Sequence, residues 1–272
     1  MPMPRMVKKL LRAVANYDPD YYDMYADANE ALFARLYVEW IARHAETAGI
    51  RPPATLLEAG CQAGRLVVPL AKRGFRVTGV DTSGFALRRA KEHLRAAGAE
   101  AALLQGDVLR LSSLTRERFD VVVCAEVAYM LKEHRQLLAA LARAVRPGGL
   151  LFVSHRPKWY YLLEALRQYD VPGAAEVIRR NEGWFQGPGC SGYFNWQTEA
   201  ELRELYTSLG LRCVAVQPID RLAWLSGMSP EKLTPEQQEE WLRLELALPA
   251  ESAGSCARYL LVVAAQPTAA SP

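Results

Sequence analysis

The sequence predicts an α/β protein built on one doubly wound, mostly parallel sheet, with helices at its N-terminus and a helical, aromatic insertion late in the chain. Three observations carry this reading. Short apolar strands alternate with amphipathic helices over residues 55–154. The run at 119–125, FDVVVCA, is β-branched without polar alternation, as expected of a central parallel strand buried on both faces. Acids or acid-containing turns close the strands at Glu58, Asp81, Asp107 and Glu126, and ligands in such sheets bind beyond the carboxyl ends of the strands.

The elements follow in order. Residues 7–14 read as a short basic amphipathic helix, ahead of the acidic, Tyr-rich run NYDPDYYDMYADANE. Over 29–44, Leu32, Phe33, Leu36, Tyr37, Trp40 and Ile41 recur at helical spacing and define one buried stripe. Pro52-Pro53 holds the first strand back to 55–58, Gly60 and Gly64 bracket a tight turn, and 65–73 opens a helix packed back on that strand. Strand 75–81 comes next, then a helix over 83–97 with Ser83 as N-cap, and strand 101–105 closed by Gly106-Asp107-Val108. Strand 119–125, a helix over 133–145, a stop and turn at Arg146-Pro147-Gly148-Gly149 and strand 150–154 complete the alternation.

From 156 to 196 the alternation breaks. This stretch carries Trp159, Trp184 and Tyr193 among many aromatics, two short helical patterns near 162–166 and 174–178, and the turn-rich segment GWFQGPGCSGYFNW. A connection this long is functional or disordered, and its aromatic content argues against disorder. It reads as a substrate-covering insertion; a helical hairpin burying a satellite core fits the same residues. Thr198 with Glu201 three residues on is a capping box for a helix ending at Gly210, and strand 211–216 follows. Residues 229–246 read as a charged amphipathic helix, 257–264 as the final strand, and the tail from 266 to 272 as polar and disordered.

The turn after the first strand lacks the dinucleotide fingerprint, which needs glycines at its first, third and sixth positions; counted from Gly60, those places hold Gln62 and Arg65. An NAD(P) oxidoreductase is therefore disfavoured. What remains is acid-x-Gly-x-x-x-Gly, with Asp81 lying 21 residues past Gly60, where a carboxylate can accept from both hydroxyls of a ribose. In this the chain resembles the Rossmann-like class I S-adenosylmethionine-dependent methyltransferases, whose first motif is acid-x-Gly-x-Gly-x-Gly. It departs from them at Gln62, where the middle glycine usually lies. The motifs cover about 55–155, and the unit WQTEAELRELYTSLGLRCVAV extends the likeness more loosely over 196–264.

The resemblance implies a seven-stranded sheet whose last strand enters antiparallel between the fifth and sixth. It implies a helical lid over residues 1–50, a cofactor-binding domain over 51–155 and 197–265, and the insertion over 156–196. The cofactor would be S-adenosylmethionine, with S-adenosylhomocysteine as product, and the acceptor a small molecule methylated on oxygen, nitrogen or carbon. The position of Glu58 would hold the amino acid end of the cofactor with the turn of Gly60, Cys61 and Gly64. Asp81, with Thr82 beside it, would bind the ribose, Asp107 and Val108 would flank the adenine, and Cys124 to Val127 would lie beside the methionine moiety. Tyr22 and Tyr25 would cover the cofactor from the N-terminal side; aromatic packing of that segment on the domain is the plainer use of them.

Methyl transfer from a sulfonium is an in-line displacement that needs proximity and orientation more than a strong catalyst, and a general base helps only where the acceptor carries a proton. His155 at the end of the fifth strand, Glu126 and Tyr129 compete for that role; His44, His93 and His134 lie on helices. Arg156 is the candidate for an acidic group of the substrate, with Trp159, Trp184 and Tyr193 as its cover. The alternatives are an RNA or protein methyltransferase, although no Asn-Pro-Pro-Tyr motif of the base-modifying kind occurs, and a non-catalytic protein that keeps the fold to bind the cofactor.

Composition bounds the rest. A net charge of +3 with scattered arginines lacks the footprint of a dedicated nucleic-acid binder. Five widely spaced cysteines, with no pair at metal spacing, read as buried thiols in a reducing compartment, and no metal site is expected. No apolar stretch is long enough to span a bilayer, and the start, MPMPRMVKKLLRAV, has no secretory apolar core, so a cytoplasmic protein without a membrane partner is expected. The insertion's aromatics could serve a homodimer contact as well as a substrate.

Overall fold

The structure, a computed structural model, describes residues 21–187, 190–248 and 256–268. The helix expected at 7–14, Tyr17 and residues 269–272 lie outside them. Nine strands are described: β1 (Thr55–Ala59), β2 (Arg76–Asp81), β3 (Ala102–Gln105), β4 (Phe119–Cys124), β5 (Val145–His155), β6 (Glu182–Gly187), β7 (Cys190–Asn195), β8 (Arg212–Ile219) and β9 (Tyr259–Ala265). Seven form one sheet in the order β3-β2-β1-β4-β5-β9-β8, and β6 and β7 pair apart from it. The first five of the sheet run parallel, and β9 is antiparallel to both β5 and β8, as expected.

The strand order reverses direction of growth between β1 and β4, which opens a crevice at their carboxyl ends. Strand β4 is buried on both faces: Val121 and Val123 join the core on one side, Val122 and Cys124 the core on the other. The first core holds α1 (Ala28–Thr47), α2 (Val67–Lys72), α3 (Gly84–Ala96) and, after the short α4 (Leu111–Leu114) and α5 (His134–Ala144) of the opposite face, the late α10 (Pro235–Ala247). The opposite core also holds α8 (Glu199–Ser208) through Leu202, Leu205 and Tyr206. Between these lie α6 (Lys158–Arg167), α7 (Val171–Arg179) and α9 (Leu222–Ser226).

Local chemistry sets the boundaries. Asp27 caps α1 by accepting from the Glu30 amide at 3.0 Å, and the stripe Leu32, Phe33, Leu36, Tyr37 and Ile41 is buried as its spacing requires. Ser83 caps α3 through the Ala86 amide, and Thr198 and Glu201 close the expected capping box on α8. Helix α1 is thus a core helix, and of the described part of 1–50 it is the segment ahead of this helix, turned at 24–26, that reaches the crevice, through Met24.

Several expectations are corrected. The stop at Arg146–Gly149 is part of β5: Val145 pairs with Phe119, and although Gly148 takes φ +78°, its amide donates to Gln266 while Gln266 donates to Gly149. The same bonds tie down the first residue of the segment expected to be a disordered tail. Within the turn-rich GWFQGPGCSGYFNW, β6 and β7 pair antiparallel, and Phe185 and Phe194, with Trp196 just past β7, bury against Tyr161 of α6 and give the pair an apolar face. The charged helix of 229–246 is split: Pro230–Lys232 is a 3₁₀ turn, and Thr234 caps a new start for α10 with Gln237. Strand β8 runs on to Ile219, past the expected end at 216.

Candidate functional site

The crevice at the strand ends has a volume of about 330 Å³ and is walled by Glu58, Gly60, Cys61, Gln62, Arg65, Asp81, Thr82, Asp107, Val108, Glu126 and Val127, with Met24, Leu109, Met130 and Leu131 as its apolar lining. A larger cavity of about 590 Å³ between α1, α2 and α10 contains none of the strand-end acids apart from its contact with the Arg65 side chain, so size does not mark the site.

The turn after β1 forms one wall. Gly60 takes φ +84° and its amide donates to the Val80 carbonyl at 2.8 Å; a Cβ here would stand 2.5 Å from Val127 Cγ2, so only glycine lets the first and fourth strand ends approach this closely. Gly64, at φ +87°, faces Ala90 of α3 and serves helix packing. Gln62 also lies in the left-handed region, at φ +44°, and its backbone N–H donates to Asp81 Oδ2 at 2.9 Å. The other oxygen, Oδ1, accepts from the Ser83 amide at 2.8 Å. Asp81 is therefore held by backbone donors at both ends while each oxygen keeps a lone pair to offer. Asp107 accepts from the Leu109 amide at 2.9 Å and caps the 3₁₀ turn Val108–Arg110, which sets Val108 against the crevice.

Glu58 is the most perturbed acid of the site. It is 4% exposed, its Oε2 finds no partner among the described residues, and burial pushes its carboxyl up to about 8, against the pull of Arg65 and a hydrogen bond from the Val67 amide. Arg65 reaches past it to two other carboxylates. It bonds Glu30 of α1 and, at 2.6 Å, Glu126. Burial disfavours its charge, but the two carboxylates outweigh burial and hold the guanidinium firmly protonated. Burial likewise pushes Glu126 up, yet Arg65, a hydrogen bond from Tyr259 and the charge of Arg156 bring it below the usual carboxylate range; Glu30 takes the complementary upward shift from burial and from Glu126. Glu126 sits at φ +60° with its amide donating to Ser154 Oγ at 2.6 Å.

Of the other residues singled out from sequence, several lie elsewhere. His155 is fully buried on the α8 face, its Nε2 2.9 Å from Tyr206 Oη, and burial with neighbouring His134 pulls it down to about 3. Strand residues alternate faces, so Ser154 turns toward Glu126 while His155 turns away from it. Cys124 also points to that face, and burial holds its thiol near 12. Tyr129 is buried and stacks on Phe194 at 6.2 Å, and burial pushes its phenol up. Arg156 sits outside the crevice wall, 4.9, 4.6 and 5.0 Å from the ring centres of Tyr129, Tyr160 and Tyr259, and donates to Tyr259 Oη at 2.8 Å.

Neither Trp159 nor Trp184 covers the crevice; Trp184 is 73% exposed, and Tyr193 donates to Glu182 with Lys132 over its ring. Tyr25 packs edge-on against His93 at 4.1 Å and lines the larger cavity, and Tyr22 is half exposed, touching the site through its carbonyl alone, which accepts from Gln62 Nε2. What the insertion does contribute is Asn195, whose Nδ2 donates to the carbonyls of Ala128 at 2.8 Å and Leu131 at 3.1 Å and so fixes the loop that carries Met130 and Leu131.

A family model described as a methyltransferase domain matches residues 57–153. Over these residues the chain is similar to a methyltransferase domain. The matched span runs from the third residue of β1 almost to the end of β5, so it contains the whole floor of the crevice. Curated relatives include ubiquinone biosynthesis O-methyltransferases of Stutzerimonas stutzeri strain A1501, 33% identical over 46% of this chain and 53% of the relative, and of Alkalilimnicola ehrlichii, 35% identical over 54% and 60%. The chain thus spans about half the length of the curated relatives it matches, or slightly more. In fold, the domain and its surroundings are similar to magnesium protoporphyrin IX methyltransferase of Synechocystis PCC 6803, solved with S-adenosylhomocysteine, at TM-score 0.57 and 16% identity over 95% of this chain and 97% of that one. A Burkholderia thailandensis 1,6-didemethyltoxoflavin-N1-methyltransferase, solved with its acceptor and S-adenosylhomocysteine, matches at TM-score 0.57 and 19% identity over 98% and 92%.

Arg65, Gln62, Met24 and Asn195 were not singled out from sequence as site residues. Arg65 left a signal as the one charge opening the apolar run RLVVPL, and Gln62 as the departure from the motif's middle glycine; Met24 and Asn195 depend on contacts across 38 or more residues of chain and left none.

Proposed function

We propose that the chain transfers a methyl group from S-adenosylmethionine to a small-molecule acceptor. The observation that carries the reading is the pairing, in one crevice, of a doubly anchored Asp81 with a buried Glu58 that has an oxygen to spare. When bound, the cofactor supplies an activated methyl group on a positive sulfonium. Asp81 would accept from the ribose hydroxyls, Glu58 and the glycine turn would hold the amino acid end, and Asp107 with Val108 would border the adenine. Met24, Met130 and Leu131 give the rest of the wall an apolar lining.

The fit is tested by what the chain leaves open. The Gly60 turn brings the backbone itself to the crevice, and Glu58 Oε2 is a buried acceptor awaiting a donor such as an ammonium. Of the three candidate bases none is free beside it: Glu126 is committed to Arg65, Tyr129 is held neutral, and His155 lies on the other face. Transfer in this reading rests on proximity and orientation, and the acceptor presents its own lone pair. The curated relatives are named O-methyltransferases, so an oxygen acceptor is the first to try.

No helix among the described residues is long and apolar enough to cross a membrane. Titration calorimetry with S-adenosylmethionine and S-adenosylhomocysteine tests the cofactor. Asp81→Ala should weaken both by roughly 10- to 100-fold, the worth of about one hydrogen bond to a charged group; unchanged affinity would remove the reading. Labelled-methyl transfer to a cell extract, fractionated into metabolites, RNA and protein, assigns the acceptor class, and label confined to RNA or protein would overturn the small-molecule part.

A further inference from the structure

We propose that Gln62, the residue standing in the place of the motif's middle glycine, is a positioning residue that latches the segment 21–25 across the mouth of the cofactor crevice. The inference rests on the cofactor reading above and adds a residue to it. Three hydrogen bonds converge on Gln62. Its backbone N–H donates to Asp81 Oδ2 at 2.9 Å, its Nε2 donates to the Tyr22 carbonyl at 3.1 Å, and its Oε1 accepts, at a long 3.4 Å, from the Met24 amide. One side chain thus ties two successive backbone groups of the N-terminal segment to the carboxylate proposed to hold the sugar, and Met24, held between them, forms part of the crevice wall.

The backbone conformation agrees with a role. Gln62 takes φ +44°, a region that glycine enters freely and that side-chain-bearing residues enter only when their surroundings hold them there. A glycine at this place would relieve the backbone and leave the segment without its tie to the turn. The segment's other ties run to one helix: Asp23 accepts from Arg89 Nε at 3.2 Å and lies 3.3 Å from His93 Nε2, Tyr21 meets Phe85 edge-on at 4.9 Å, and Tyr25 meets His93. Helix α3 anchors one side of the strap, and Gln62 closes the other over the ligand. Entry and exit of the nucleoside then require those two side-chain bonds to open, while the bond to Asp81 stays.

The test uses the full chain and Gln62→Gly. In the ligand-free protein, hydrogen exchange at the Met24 amide and through 21–26 should quicken in the variant. The melting temperature should hold or rise, since glycine suits the conformation and keeps the N–H to Asp81. Release of radiolabelled S-adenosylmethionine, chased with excess unlabelled compound, should speed up about three- to tenfold, the worth of two partly exposed neutral bonds. Gln62→Asn, which tolerates the same φ but is one methylene too short to reach Tyr22, should behave like the glycine variant and serves if that one does not fold. Unchanged exchange at Met24 together with unchanged release would overturn the latch. If neither parent nor variant holds the nucleoside, the cofactor reading falls, and the exchange experiment still decides the latch by itself.

Discussion

Replacing Glu58 with glutamine should make the protein progressively more stable than its parent as pH rises. The carboxyl is fully enclosed, and burial lifts it from an ordinary 4.5 to about 8. A carboxyl raised in the folded state stabilises the fold fully below 4.5, where both states are protonated, and that contribution is lost as pH climbs to about 8, because the unfolded chain ionises and the folded one does not. The slope over that window is a little over 1 kcal/mol per pH unit, so between pH 5 and pH 7 the variant should gain about 2 to 3 kcal/mol on the parent. Glutamine is isosteric and has no charge to lose, and Asp220, which burial lifts to about 6, is present in both proteins and drops out of the difference. Urea unfolding of the ligand-free pair at pH 5, 6 and 7 reads the effect directly, and in melting experiments it amounts to about 5–10 °C. Parallel stability profiles for the two proteins would show that Glu58 ionises normally in the fold, and the argument that it waits uncharged for a cationic partner would be lost. The corollary for binding is that S-adenosylmethionine should release a proton on binding to the parent near pH 7, seen as a dependence of calorimetric heat on buffer ionisation enthalpy, and should not do so with Glu58→Gln.

Arg65→Met strands Glu30 and Glu126 without their cation and should destabilise the fold by about 3–5 kcal/mol, with part recovered in the Arg65→Met, Glu126→Gln double variant; denaturant midpoints read both. Gly60→Ala puts a methyl 2.5 Å from Val127 Cγ2 at φ +84°, so melting should fall by several degrees and cofactor affinity by more than tenfold, and Val127→Ala should restore some of the first through relief of the clash. His155→Phe leaves the Tyr206 hydroxyl without its partner at a cost of about 1–3 kcal/mol, yet the pH profile of methyl transfer should be that of the parent; a displaced acidic limb would return His155 to the chemistry.

The legibility of the sequence follows the range of the interactions involved. Ser83 and Thr198 were readable as caps because a cap is made with an amide two or three residues away, and β4 was readable because a strand enclosed on both faces has no polar position to spare. Gly60, Asp81 and Asp107 could be placed at strand ends for the same reason: turn and strand are local. His155 was misplaced by one step of strand alternation, since an end residue can face either core and only the packing of α8 decides which. The β6–β7 pair was hidden behind its glycines, because its apolar face is completed by Tyr161, more than 20 residues earlier in the chain.

The amino-acid order by itself determined the alternating α/β plan, the acids that close its strands and the glycine turn at the crevice, all consequences of period, capping and backbone freedom within a few residues. Only the tertiary structure decided that Arg65 joins Glu30 to Glu126, that Gln62 holds Tyr22 and Met24, and that Glu58 is left buried with an oxygen to spare. Those contacts join segments 35 or more residues apart, and burial, which sets the charge of Glu58, exists only once the sheet has closed over it.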